Sequence, residues 1–231
     1  MTYMGCKSSH HPLHKQLQHV LNQKLTKHTH FTTSKSTFYT TSKNTLVKIS
    51  KEIYHWQYIL DSDKNISKHL YKPTKMFVQQ SFMITIMPLY PDIDLYYFCI
   101  KYKITIDSAI QIANSLEDAI HFLHKYQISH LDIKPENIII LKDYSIRLID
   151  FEHMSHWSQP FQLYGTIGFK PNTNITMKQA DWYAFGKTII HILSHITQLQ
   201  YICFNVNTNS TYQPPDNTHP LLLKAIQHTK I

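Results

Sequence analysis

The sequence predicts an α+β protein in two parts, a small β-rich segment followed by a larger, mainly helical one. Two observations predict it. Between residues 31 and 87, short runs rich in Thr, Phe, Tyr, Val and Ile alternate with polar turn residues, the signature of short strands. Beyond Pro91 apolar residues recur at helical spacing instead, most clearly over residues 107–125 and 179–196. Strands gathered first and helices after them argue against a repeating βαβ pattern and for segregated layers.

Residues 1–24 read as a polar His/Lys-rich leader, with a short helix within 13–25. His10, His11, His14, His19, His28 and His30 have no closed metal-site spacing and no cysteine in register, so a mobile leader is expected there. Strands are expected over 31–33, 37–41 and 45–49, with Ser34-Lys35 and Ser42-Lys43-Asn44 as turns. A helix over 51–60 would place Ile53, Trp56, Ile59 and Leu60 on one face. Strands over 76–80 and 82–87 complete a small sheet carrying one helix. Asp107-Ser108 can open a helix that runs to residue 125, with Ile110, Ala113, Leu116, Ile120 and Leu123 inward. Residues 138–141 and 145–148 form a hairpin around Lys142-Asp143-Tyr144, and 179–196 and 221–227 are helical. The resulting division is a leader (1–24), a β-rich part (25–90) and a helical part (91–231), the last expected to be short of closing helices after about residue 200.

With 42% hydrophobic and 16% charged residues among 231, the composition is that of a soluble globular chain. No apolar run approaches the ~20 residues of a bilayer span. The N-terminus lacks an apolar signal core, and Gly5 is misplaced for myristoylation. Cys6, Cys99 and Cys203 are odd in number and far apart, which suits an intracellular, reducing compartment. The net charge of +8 is spread as single lysines, and Arg147 is the only arginine. Lysine lacks the bidentate fork used in base readout, so a nucleic-acid partner is not expected.

Chemistry concentrates in His130-Leu131-Asp132-Ile133-Lys134-Pro135-Glu136-Asn137, followed by Ile149-Asp150-Phe151-Glu152 after a gap that fits one hairpin. Phosphoryl transfer from ATP needs a carboxylate to orient the acceptor hydroxyl, a cation near the moving phosphoryl and oxygen ligands for magnesium. Asp132, Lys134, Asn137 and Asp150 supply that set in the order and spacing of a catalytic loop and metal-binding motif.

On these residues the chain resembles the eukaryotic-type protein kinases across about residues 30–200. The stretch Ile86-Met87-Pro88-Leu89, continuing to Asp94-Leu95-Tyr96, is similar to the hinge of compact viral (herpesvirus-like) Ser/Thr kinases. The resemblance implies a two-lobed fold, ATP and Mg2+ as cofactors, and protein Ser/Thr hydroxyls as acceptors. It implies Asp132 and Lys134 as catalytic, Asn137 and Asp150 as magnesium ligands, and Thr166, after Gly165, as a substrate-loop hydroxyl bridging Asp132 and Lys134. Asp181, spaced from Gly186 as in the family, would fix the catalytic-loop backbone. Lys48 would anchor the nucleotide with Glu52 as its acidic partner, and Ser34, Ser36, Leu46, Met87 and Leu89 would line the nucleotide site.

Departures from the family pattern carry expectations of their own. Ser34 to Tyr39 stands where a glycine-rich loop would be, and glycine is what lets backbone approach phosphate without a Cβ in the way. Tyr39 and Leu46 are therefore expected to crowd the nucleotide. Leu131 replaces the arginine that reads a phosphorylated activation loop, so no such switch is expected. Glu152 replaces the glycine after Asp-Phe, which implies a fixed loop and keeps a small-molecule phosphotransferase open as an alternative. A pseudokinase scaffold is the other alternative. A partner protein covering the short helical part is also expected.

Overall fold

The computed structural model describes residues 13–27, 36–51, 67–89, 93–160, 165–172, 175–208 and 213–230. The chain divides into two compact units, one formed by residues 1–53 and 72–91, the other by 54–71 and 92–231. The fold is the α+β one that the residue pattern predicts, with a β-sheet unit and a mainly helical unit.

The first unit is one five-stranded antiparallel sheet with a helix on it. Helix α1 (His14–Leu21) ends where Asn22 turns left-handed (φ 47°), its N–H and that of Gln23 returning to carbonyls of the last turn. The strands are β1 (Leu25–Lys27), β2 (Ser36–Thr41), β3 (Thr45–Ser50), β4 (Lys75–Gln79) and β5 (Phe82–Pro88), in the order β1-β2-β3-β5-β4. Asn44 (φ 52°) closes the β2–β3 turn, and Gln80 and Ser81, both at positive φ, make the two-residue β4–β5 turn.

Register assigns every side chain to a face. Directly paired residues share a side, and Tyr39↔Val47↔Ile86 and Thr37↔Ile49↔Ile84 stand on one of them. Tyr39, Val47, Ile49, Ile84 and Ile86 form a single buried cluster with Leu13, Leu17 and Leu25, so α1 covers this face. Phe38↔Lys48↔Thr85 and Thr40↔Leu46↔Met87 stand on the other.

This corrects two expectations. Leu13 and Leu17 are fully buried, so the chain from residue 13 onward is part of a core rather than a polar leader. The amphipathic spacing of Leu13, Leu17 and Leu21 is diluted by five polar neighbours, which is why composition hid it. Ser36 to Tyr39 lie within strand β2, and residues 28–35 lie outside the described residues. Tyr39 points into the α1 cluster, away from the face that carries Lys48. The strand expected over 31–33, the helix expected over 51–60, Ser34 and Glu52 lie outside the described residues.

In the second unit, Asp94 caps α2 (Leu95–Lys101), accepting from the Tyr97 N–H, an element the sequence pattern did not reveal. Helix α3 (Ile106–Lys125) starts from Thr105, whose capping box with Ser108 satisfies two end groups. Strands β6 (Ile128–Ser129) and β9 (Ser155–His156) pair, as do β7 (Ile138–Ile140) and β8 (Ile146–Leu148). Helix α4 (Met177–Ser194) opens with a Thr176–Gln179 capping box, two residues earlier than expected. Two more helices lie from residue 200 onward, α5 (Gln200–Thr208) and α6 (Pro220–Thr229). The helical part is thus less curtailed than expected. A Cβ on Gly186 would lie 2.5 Å from the Ala225 carbonyl oxygen, so α4 and α6 touch backbone to backbone there. Among the described residues no helix is long and apolar enough to cross a membrane.

Burial holds His69, His130, His191 and His228 below the ordinary imidazole value, His191 at about 4. The unfolded chain then binds more protons than the folded one as pH falls below ~6.5. Stability is full above that value and drains away as pH drops through the folded-state values. Urea midpoints should accordingly be lower at pH 5.5 than at pH 7.5; equal midpoints would contradict the burial of these rings. Leu17→Ala should cost about 2–5 kcal/mol in urea unfolding. Val20→Ala, on the exposed side of α1, should stay within about 0.5 kcal/mol.

Candidate active site

The site is built on the loop between β6 and β7. Asp181, near the start of α4 and fully buried, accepts from the His130 N–H at 2.9 Å and the Leu131 N–H at 2.8 Å. His124 Nε2 reaches the same carboxylate at 2.9 Å. Two consecutive N–H groups can point at one carboxylate only if the chain curls, and Leu131 does so at φ 64°. That left-handed turn costs about 1–2 kcal/mol in a residue with a Cβ, which the charge-assisted bonds offset.

The curl orients the side chains on either side of it. His130 Nε2–H donates to the Ile149 carbonyl at 2.9 Å, leaving Nδ1 to accept the Asp132 N–H at 3.3 Å. Both ring nitrogens are thereby assigned in a neutral imidazole, in keeping with the direction of its pKa. The Asp132 carboxylate, 7% exposed, receives three donors. Thr166 Oγ1–H donates to Oδ1 at 2.9 Å, Asn137 Nδ2 to Oδ2 at 2.9 Å, and Lys134 Nζ lies 3.1 Å from Oδ2. Lys134 also donates to Thr166 Oγ1 at 2.7 Å, closing a triangle of side chains. Burial works to raise the Asp132 pKa, but the Lys134 charge and the Thr166 hydrogen bond outweigh it, and the net is below the usual carboxylate value.

Asn137 spends its second amide proton on the Asp132 carbonyl at 2.8 Å, so Oδ1 is left as its acceptor. The Ile149 N–H donates to the Asn137 carbonyl at 2.9 Å, which brings the backbone just before Asp150 alongside. Asp150 itself is left-handed (φ 60°) and leads into the single 3-10 turn Phe151–His153 containing Glu152. Phe151 is buried edge-on against His130, ring centroids 5.0 Å apart. An amide oxygen and a carboxylate are hard-oxygen ligands of the kind Mg2+ takes.

Gly165 has φ 108°, and a Cβ there would lie 2.8 Å from the Leu131 carbonyl oxygen. Only glycine lets the segment carrying Thr166 come this close to the Asp132 loop. A recess lined by Leu131, Asp132, Thr166, Phe169, Lys170 and Pro171 opens beside the carboxylate.

Of the residues singled out from the sequence, Asp132, Lys134, Asn137 and Thr166 come together in direct contact, while Asp181 joins them through the His130 and Leu131 N–H groups and Asp150 adjoins through the backbone. Leu46, Lys48 and Met87 share the sheet face opposite α1 in the first unit. Ser36, on the same face, is paired with Ser50 and buried, and Leu89 donates its N–H to the Asn44 carbonyl at 2.7 Å. Lys48 lies over the Phe38 ring, 5.4 Å from its centroid. Sequence reasoning missed His124 and the bridging role of His130. The inward helical phase of His124, next to Leu123, was the available signal.

The protein kinase domain family matches residues 18–218. A serine/threonine-protein kinase-like protein of Arabidopsis thaliana is 33% identical over 94 residues, covering 37% of this chain and 27% of that protein. The cAMP-dependent protein kinase type 3 of Saccharomyces cerevisiae is 31% identical over 100 residues, 41% of this chain and 24% of its own length. The human serine/threonine-protein kinase ULK3 is 37% identical over 71 residues, 29% of this chain and 15% of its own length. The matched stretches thus span roughly a quarter or less of these relatives.

Asp181→Ala would leave the His130 and Leu131 N–H groups buried without acceptors. The expected loss is about 1–3 kcal/mol for each, read as a fall in the urea midpoint. A loss below about 1 kcal/mol would show that the loop does not depend on this carboxylate.

Proposed function

This chain belongs to the protein kinase domain family, and we propose that it transfers the γ-phosphoryl of ATP to serine or threonine hydroxyls of proteins, with Mg2+ bound at Asn137 and Asp150. The observation that carries this reading is the convergence of Lys134, Thr166 and Asn137 on the Asp132 carboxylate.

Asp132 orients the acceptor hydroxyl from the recess beside Thr166. Its low basicity suits a loose transition state, in which the hydroxyl proton need not leave early. Lys134 supplies a fixed positive charge beside the carboxylate where negative charge moves during transfer. Thr166, bonded to both, holds them at a set separation. Bound magnesium would neutralise phosphate charge. Lys48, Leu46, Met87, Leu89 and Ser36 of the first unit, with Ser34, are assigned to the nucleotide, and Glu52 is assigned as the partner of Lys48. Tyr39, facing the α1 cluster, no longer counts among the groups that crowd it.

A pseudokinase scaffold is the second reading, favoured by the lack of any glycine between β1 and β2, residues 28–35. The arginine-poor, lysine-rich composition and the Pro88 hinge also support a viral origin, and the cysteine spacing an intracellular, reducing compartment. Recovery of the chain from its source with disulfide-bonded cysteines would contradict that last assignment.

Purified protein incubated with γ-labelled ATP, Mg2+ and mixed basic and acidic proteins should label serine and threonine. Asp132→Asn and Asp150→Asn should each lower the rate by about 10²-fold or more, and Lys48→Met should remove most of it. An unchanged rate in Asp132→Asn would refute the mechanism. If labelling is absent and millimolar ATP with Mg2+ leaves Tm unmoved, the scaffold reading replaces it.

A further inference from the structure

We propose that Cys99, His191 and His195 form a binding site for a zinc-type divalent ion, joining α2 to the end of α4. The proposal is independent of phosphoryl transfer. His191 and His195 are four residues apart, the spacing that puts two imidazoles on one side of a helix, and Cys99 comes to them from α2. One ligand atom from each lies within 4.8 Å of the others.

Two further observations point to an ion rather than to ordinary packing. His191 Nε2 is buried and has no hydrogen-bond partner, although buried polar nitrogens are normally satisfied. Its ring is held from one side by Tyr96, stacked at 6.0 Å, and from the other by His195 at 5.1 Å. Cys99 is a free, buried thiol with a His191 ring nitrogen within 4.8 Å of it.

The donor set chooses the metal class. One thiolate and two imidazoles suit zinc, which takes three protein ligands and leaves a fourth position open to water or a further ligand. Tetrahedral zinc, with bonds of about 2.3 Å to sulfur and 2.0 Å to nitrogen, sets its ligand atoms about 3.3–3.6 Å apart. From separations within 4.8 Å, reaching that size asks the ligand atoms to close by at most about 1.5 Å. His191 stays neutral at ordinary pH, the form that ligates. Burial pushes the Cys99 thiol up to about 12, so its proton leaves for solvent only as the sulfur–metal bond forms.

The test uses the full chain, stripped with a chelator and titrated with Co2+ as a coloured stand-in, then with Zn2+. Saturation at one ion per chain is expected, with thiolate-to-cobalt charge-transfer absorption that Zn2+ bleaches and a rise in Tm with Zn2+. Cys99→Ser should abolish the charge-transfer band, and Cys203→Ser should keep it. His195→Ala, at a partly exposed helix end, should weaken binding about tenfold or more with unchanged far-ultraviolet circular dichroism. A wild-type chain without the thiolate band overturns the site outright. So does a band that survives both Cys99→Ser and His195→Ala, since the ion would then sit on other histidines or cysteines.

Discussion

The Asp181 carboxylate is the constraint on which the active-site geometry depends. A charged side chain with no solvent access is tolerable only when its oxygens are filled, and here two backbone N–H groups and an imidazole fill them. The same bonds force Leu131 into a left-handed conformation and aim His130 at both the Asp132 N–H and the Ile149 carbonyl. From that point each contact sets the next. Asp132 is held by its backbone, Asn137 by Asp132, and the strand leading to Asp150 by the Asn137 carbonyl. The polar network runs unbroken from Asp181 to the Asn137 carbonyl, which favours one arrangement over several.

The loop from His130 to Asn137 was legible because the chemistry proposed for it restricts both residue type and spacing. Four polar side chains singled out in advance, Asp132, Lys134, Asn137 and Thr166, meet in direct contact. The long helices were legible from their period, although their starts were misread, since Thr105 and Thr176 cap from outside the apolar pattern. Most short strands were legible too, but helix α2 was not: it has seven residues and exposes Tyr97 and Ile100, so its apolar content has no phase to read. The first helix was expected, but its polar majority hid its burial, and its role appears only when Leu13 and Leu17 are seen to cluster with Tyr39. His124 escaped notice because an inward histidine looks like any core residue until its partner carboxylate is located.

The sheet shows how register can overturn an argument from residue size. Tyr39 is bulky, and by position alone it threatened the nucleotide. Strand parity sends it to the covered side, while Leu46, Lys48 and Met87 emerge opposite. A shift of one residue in β2 would strand Tyr39 in the open and turn Phe38 to the covered side. The burial of Tyr39 therefore guards the placing of Phe38 under Lys48, although Tyr39 and Lys48 never share a face.

Leu131 carries a consequence of a different kind. It sits in an apolar cluster with Met177 and Ala180, against Trp157 and Ile175. Trp157 is itself tied back to the loop, its indole donating to Ser129 at 2.9 Å and its N–H to the Gln127 carbonyl at 2.8 Å. Grease thus occupies the spot where a phosphate-sensing guanidinium would stand. If the proposed activity holds, a phosphate added to the segment after Asp150 would meet no cation at residue 131 to receive it.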